Sequence, residues 1–402
     1  MTDYNEEWVM SRKNRNHGLL PIKHILNSVG NPQDAIRTIH VAGTNGKGSV
    51  TNDLAEILMA HGHKVGMFTS PHLVDHRDRI RINREWITAD VFHQYLMAHV
   101  DAIIEEDLGM FEIDCLIAFL WFKDQHVDYA VIECGLGGRL DNTNVIARPE
   151  LEIITTISYD HMNILGNRLQ QIAFEKAGII QENTSCVVGY LSKKVLPVIT
   201  YQATRRHANL VKCPAFDDVG GQNLRFDQDI YTLSSFASYQ KRNAALALES
   251  AKLLGINIHT DLTKKALQNA AWAGRFEVMG NEPMVVVDGA HNEEGMRALI
   301  ASFTCLPRPL TVVFSALKDK PGQAMAELLL ANCDRLIITQ FANARADTLE
   351  DLFIPHAETI LSWQTAVNTA RKETNPAGSV VITGSLYFVS LARAYLCKEI
   401  HL

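Results

Sequence analysis

Several residues of this chain carry chemistry by type and spacing. In HVAGTNGKGSV (His40–Val50), Gly43, Thr44, Asn45, Gly46, Lys47, Gly48 and Ser49 form a glycine-rich run around one lysine. Such a run, set between a strand and a helix, cradles phosphate: backbone N–H groups and the helix dipole face the anion, and the lysine adds charge. The hydroxyl that usually follows the lysine directly comes one place late, at Ser49, which leaves open which hydroxyl holds a magnesium ion. FTSPH offers Ser70, and VIECGLGG offers Glu133 where an apolar run stops. A carboxylate there suits a hard cation that takes oxygen ligands, although a salt-bridged or helix-capping glutamate fits the same pattern. His161, in ISYDHMNILGN, suits a transition metal or a base better than magnesium. Lys176 lies among apolar residues in IAFEKAGII, where spacing alone predicts a surface lysine.

The elements that must position these groups read as an α/β protein. TIHVAG, KVGMFTS, DYAVIECG and ELEIITTIS are strand-like and alternate with amphipathic segments such as Ser49–Ala60, which predicts βαβ units and a mainly parallel sheet. The candidate groups then share the carboxyl edge of that sheet, where doubly wound folds bind ligands. Periodicity falters between 209 and 238, which reads as hairpins and loops. A helix follows over YQKRNAALALESAKLLG, ended by Gly255. Alternation restarts after GNEPM with MVVVDG, LTVVFS, RLIITQ and SVVITG. The expected organisation is a larger domain over 1–280 and a smaller Rossmann-like α/β domain over 281–402.

Composition narrows the partners. The 402 residues carry a net charge of -7, which argues against nonspecific nucleic-acid binding. Seven cysteines without a CxxC pair point to free thiols in a reducing compartment. The start MTDYNEEWVM is too polar for a signal peptide, and the longest apolar run, near CLIAFLWF, is too short to span a bilayer. A cytoplasmic, monomeric protein without membrane or nucleic-acid partners is expected.

Taken in order, HVAGTNGKGSV, FTSPHLVDHRDRIRIN, FEIDCLIAF, ECGLGGRLDNTN, DHMNILGN, FEKAGII, YQKRNAALAL, GRFEV, VVDGAHN, LKDKP and VITGSLYFV resemble the folylpolyglutamate synthase and dihydrofolate synthase family of the Mur ligase superfamily. Lys-Gly-Ser is that family's own form of the loop. The resemblance implies a P-loop domain that binds ATP and folate, followed by a glutamate-ligase domain, with ATP held between them. It implies that ATP phosphorylates a carboxylate of folate or dihydropteroate and that the amine of L-glutamate attacks the resulting acyl phosphate.

By the same resemblance, the loop from Gly43 to Ser49 cradles the ATP phosphates, and Lys47, His161 and Lys176 serve catalysis. Ser70, Glu133, His161 and Lys176 match magnesium-site positions, with Mg²⁺ expected at two places and Lys176 carbamylated. Asn243 matches an adenine contact, and Arg275, Asp288 and His291 match nucleotide contacts, with His291 and Asn292 expected to face the cleft. Pro71, His72, Arg81, Asp141, Asn142 and Thr143 match the folate side. The chain departs from the family at Cys134, at Tyr159 and at Asp114, a position commonly apolar. Two alternatives share part of this pattern: a Mur-type ligase acting on a cell-wall precursor, and a non-catalytic nucleotide switch. The latter lacks a guanine-reading NKxD sequence.

Overall fold

A computed structural model describes residues 4–13 and 18–400; the first three residues of the polar start therefore lie outside it. The chain forms two compact units. The first comprises residues 1–218, 224–232 and 242–270, and the second 219–223, 233–241 and 271–402. The last change of unit falls after Ala270, and residues 277–281 pair with the strand that follows them.

In the first unit, eight strands make one sheet: β1 (Thr38–Ala42), β2 (Val65–Phe68), β3 (Ile80–Ile82), β4 (Glu85–Trp86), β5 (Tyr129–Glu133), β6 (Leu151–Ile154), β7 (Ser185–Val188) and β8 (Asn209–Lys212). Their order is β4-β3-β2-β5-β1-β6-β7-β8. The run from β2 to β8 is parallel, and β3 and β4 are added antiparallel. β1, β2, β5 and β6 are buried at every position, which is why they read as continuous apolar runs. Phe68, Ala130 and Ile132 pack with the helices Ala89–Glu105 and Met110–Asp124. Ala42, Ile154 and Cys186 pack with Ile172 and Ala173 of the helix Leu169–Ala177. Short strands β9 (Asp217–Asp218), β10 (Asn223–Phe226) and β11 (Asp229–Thr232) form a separate small sheet. The stretch expected to hold only hairpins and loops thus also supplies β8 to the main sheet.

The second unit holds a six-stranded sheet of β12 (Glu277–Asn281), β13 (Met284–Asp288), β14 (Leu310–Phe314), β15 (Arg335–Gln340), β16 (Glu358–Ser362) and β17 (Ser379–Thr383), ordered β12-β13-β17-β14-β15-β16. Only the β12–β13 pairing is antiparallel. Alternate residues serve opposite faces, as a pleat requires. Val286, Val312, Phe314 and Val381 pack in one apolar cluster, and Val285, Val287, Val313 and Val380 in another. Among the described residues, all seven cysteines are free, and no helix is long and apolar enough to cross a membrane.

Candidate active site

Strand register gathers the site. Val41 pairs with Glu133, Ala42 with Ile154 and Phe68 with Ile132. The carboxyl ends of β2, β5, β1 and β6 therefore stand side by side, and the candidate residues follow directly from them. The loop after β1 enters the helix Lys47–Ala60 through Gly46, whose φ of +88° places it in the left-handed region. A side chain there is strained, and its Cβ would lie 2.5 Å from Asn243 Oδ1. Asn243 therefore stands against the loop at the N-terminus of that helix.

Residues after β6 hold the loop. Thr44 N–H donates to Thr156 O at 2.8 Å, and Ser158 N–H donates to Thr44 Oγ1 at 3.1 Å. Asn45 N–H donates to Thr156 Oγ1 at 3.0 Å, and Thr155 Oγ1 donates to Asn45 O at 2.7 Å. A Cβ on Gly43 would strike Thr155. Sequence reasoning passed over Thr155, Thr156 and Ser158. The signal was their hydroxyls in ITTIS, directly after a strand at the edge already assigned to the ligand.

Lys47 Nζ donates to Thr44 O at 3.3 Å and stands 3.9 Å from Glu133 Oε1. The other carboxylate oxygen of Glu133 accepts from Ser70 N–H at 3.2 Å. Lys47, Ser70 and Glu133 are thus together. The salt-bridged reading of Glu133 and the ligand reading describe one residue, since a carboxylate beside a lysine and a phosphate loop can do both.

Lys176 corrects its spacing-based reading. It is 4% exposed, and its ammonium donates to Gly43 O at 2.7 Å. Burial, reinforced by Lys47, lowers its pKa from 10.5 to about 7. A buried amine close to neutrality is a nucleophile, which a surface lysine is not at the same pH. His161 follows β6 in the left-handed conformation, with φ of +48°. Its N–H donates to Asp160 Oδ1 at 2.8 Å, and its Nε2 lies 3.8 Å from the same oxygen.

Hard oxygen donors beside a lysine and a phosphate loop fit Mg²⁺, which keeps several waters and shares phosphate oxygens. They do not resemble an all-protein metal cage, and among the described residues no three His, Cys, Asp or Glu side chains cluster to make one.

On the expected folate side, Asp141 is buried and receives Leu136 N–H at 2.6 Å, Thr143 N–H at 3.0 Å and Thr143 Oγ1 at 2.5 Å. Burial raises its pKa, while these donors oppose the rise. Behind Thr143 stands His40, with Nε2 2.8 Å from Thr143 Oγ1 and 3.1 Å from Cys134 Sγ. Burial lowers the His40 pKa to about 3, so its ring is neutral. Because Thr143 gives its proton to Asp141, Nε2 of His40 is the donor to Thr143. Asn142 is half-buried beside them. Pro71 is exposed and His72 half-buried. Arg81 donates from Nε to Asp78 O at 2.7 Å.

In the second unit, Asp288 ends β13 and is buried. It accepts from Phe276 N–H and Ala290 N–H, both at 2.9 Å, and from the Tyr239 hydroxyl. Burial raises the pKa of both Asp288 and Tyr239. Arg275 donates to Gly289 O at 3.4 Å, and His291 Nδ1 is 2.8 Å from that carbonyl. Asn292 caps the helix Glu293–Ala301 by accepting from Gly295 N–H at 2.8 Å. Tyr239 was not foreseen, since its tie to Asp288 spans 49 residues of sequence.

Comparison with known proteins adds the following. The Mur ligase middle domain matches residues 41–255, and the Mur ligase glutamate ligase domain matches 274–386. The dihydrofolate synthase/folylpolyglutamate synthase of Bacillus subtilis is 37% identical over 94% of this chain and 95% of its own. The structure of Mycobacterium tuberculosis folylpolyglutamate synthase complexed with ADP and AMPPCP superposes with a TM-score of 0.87 at 29% identity, covering 97% of each chain. E. coli FolC in complex with DHPP and ADP gives 0.90 at 25% identity, covering 98% of this chain and 97% of that one.

Proposed function

The chain belongs to the folylpolyglutamate synthase/dihydrofolate synthase family of Mur ligases, and on that premise we propose that it joins L-glutamate to a carboxylate of a folate-type acceptor, driven by ATP. The observation that carries this reading is the grouping of Lys47, Ser70 and Glu133 at one strand edge, with the Lys176 amine bonded to the carbonyl of Gly43 in the same loop.

A carboxylate is a poor electrophile. Transfer of the γ-phosphoryl group to it forms an acyl phosphate and releases ADP. The neutral amine of glutamate adds to the acyl carbon, the carbon–oxygen bond to phosphate breaks, and the amine proton passes to solvent, leaving an amide and inorganic phosphate. Loop N–H groups and Lys47 offset charge on the transferring phosphoryl oxygens. Ser70, Glu133 and His161 would hold Mg²⁺. Bound there, the ion would neutralise phosphate charge and orient the phosphoryl oxygens.

Lys176 adds a second element. As a neutral amine it attacks CO₂, forms an N–C bond and loses a proton, becoming a carbamate whose oxygens could take a further Mg²⁺. Asp141, Thr143 and Asn142, with the segment Pro71–Arg81, would recognise the acceptor, and Asn243 would meet the nucleotide beside Gly46.

The test is phosphate release from MgATP alone, with dihydropteroate or a monoglutamylated reduced folate, and with each acceptor plus L-glutamate. Excess release only in the complete mixtures, with the matching amide product, is expected. Turnover only with a UDP-linked cell-wall precursor and its amino acid would overturn the folate assignment.

A further inference from the structure

Asp114 is the one acidic group in the middle of an almost wholly buried helix, Met110–Asp124, and its side chain is fully buried. Its Oδ1 lies 3.0 Å from His76 Nε2, itself 2% exposed, and its Oδ2 lies 3.8 Å from Arg79 Nε. Among the described residues, neither carboxylate oxygen nor either His76 ring nitrogen has a hydrogen-bond partner of good geometry. Asp114 therefore faces a histidine and an arginine of a single segment, the one that runs from Ser70 to Arg81.

The ends of that segment are held by the sheet, through Ser70 N–H on Glu133 and the pairing of β3 with β2, and between them it bonds to itself. Asp78 Oδ2 accepts from Leu73 N–H and Val74 N–H at 2.8 Å each, and Thr69 N–H donates to Arg79 O at 2.9 Å. Arg79 reaches back to His72, donating from Nε to Nδ1 at 3.2 Å. The His76 ring packs edge-on against Phe92 and against His72. A chain of contacts thus leads from Asp114 through Arg79 and His76 to His72.

An apolar pair of the same volume would hold a helix and a loop together at least as well, because burying a carboxylate costs more than ion pairing alone returns. What a carboxylate set against His76 and Arg79 adds is a fixed geometry. We propose that Asp114 is a positioning residue for the acceptor: it sets the shape of segment 70–81, and through Arg79 the orientation of His72. This rests on the reading that segment 71–81 binds the acceptor. The cluster is not a metal site, since Arg79 occupies one side of it and His72 is turned to Arg79.

The experiment uses Asp114→Asn, which keeps the shape and removes the charge. Hydrogen exchange at the amides of Thr69, Leu73 and Val74, measured without substrates, should quicken about tenfold or more. In steady state, KM for the acceptor should rise about tenfold while KM for ATP stays within about twofold. The double variant His76→Phe/Asp114→Leu should melt at or above the wild-type temperature yet keep the raised acceptor KM. It decides the matter alone if Asp114→Asn does not fold. Unchanged exchange in the segment, acceptor and ATP KM values rising together, or wild-type acceptor KM in the double variant would each overturn the proposal. If the wild type itself shows no glutamate-dependent turnover, the ligase reading falls, and the exchange measurement still decides whether Asp114 orders the segment.

Discussion

Replacing Lys176 with methionine separates its electrostatics from its chemistry. Moving the amine from 10.5 to about 7 penalises its charged form in the folded state by about 5 kcal/mol. Between those values the unfolded chain holds a proton that the folded chain lacks, so wild-type stability rises with pH across that window. The penalty is complete below about pH 7 and gone above about 10.5. It amounts to about 5 kcal/mol at pH 6 and about 2 kcal/mol at pH 9, a difference of about 3 kcal/mol. Lys176→Met carries no such dependence. It also loses the bond to Gly43 O, an offset of about 1–3 kcal/mol that does not change with pH. Urea unfolding of both proteins at the two pH values, in nucleotide-free buffer depleted of CO₂, gives the difference directly, because groups common to both cancel. The variant's stability relative to wild type should fall by about 3 kcal/mol from pH 6 to pH 9. A difference that stays constant would refute the buried, near-neutral amine. The same variant should lose turnover.

Two further outcomes follow from the loop and the carboxylate. Gly46→Ala forces a left-handed alanine, at about 1–2 kcal/mol, and pushes Asn243 aside; calorimetry with a non-hydrolysable ATP analogue should show roughly tenfold weaker binding, and an affinity within twofold of wild type would contradict the geometry. Glu133→Gln keeps an acceptor for Ser70 N–H but removes the charge beside Lys47; phosphate release at saturating MgATP should drop about 10²–10³-fold with little change in melting temperature, and full turnover would remove Glu133 from the metal site.

Local patterns made much of this legible. The loop from Gly43 to Ser49 and the strand ends at Ser70 and Glu133 were readable because each lies within a few residues of the strand that places it. Parallel pairing then brings them together without further information. What stayed hidden depended on distant partners. Lys176 looks like a surface residue because its burial is set by the strand edge and by a carbonyl 133 residues earlier. The Asp288–Tyr239 bond and the His40–Thr143 bond, 103 residues apart, leave no local trace. β8 was missed because it is an edge strand with exposed ends, so its residues lack the apolar run of a central strand. That Asn292 caps a helix shows only once the helix that follows it is seen.

The order of strands in the first unit also bears on how such a protein can diverge. Every residue assigned to phosphate or metal lies at or after the carboxyl end of one of four inner strands, β2, β5, β1 and β6, or, for Lys176, in the helix Leu169–Ala177 that comes after β6. β4 and β8 lie at the two margins. Lengthening or trimming the chain at those margins, or recasting the small sheet of β9–β11, leaves the inner register untouched. Lineages can therefore remodel the periphery, and with it what the molecule meets there, while the reactive centre keeps its dimensions.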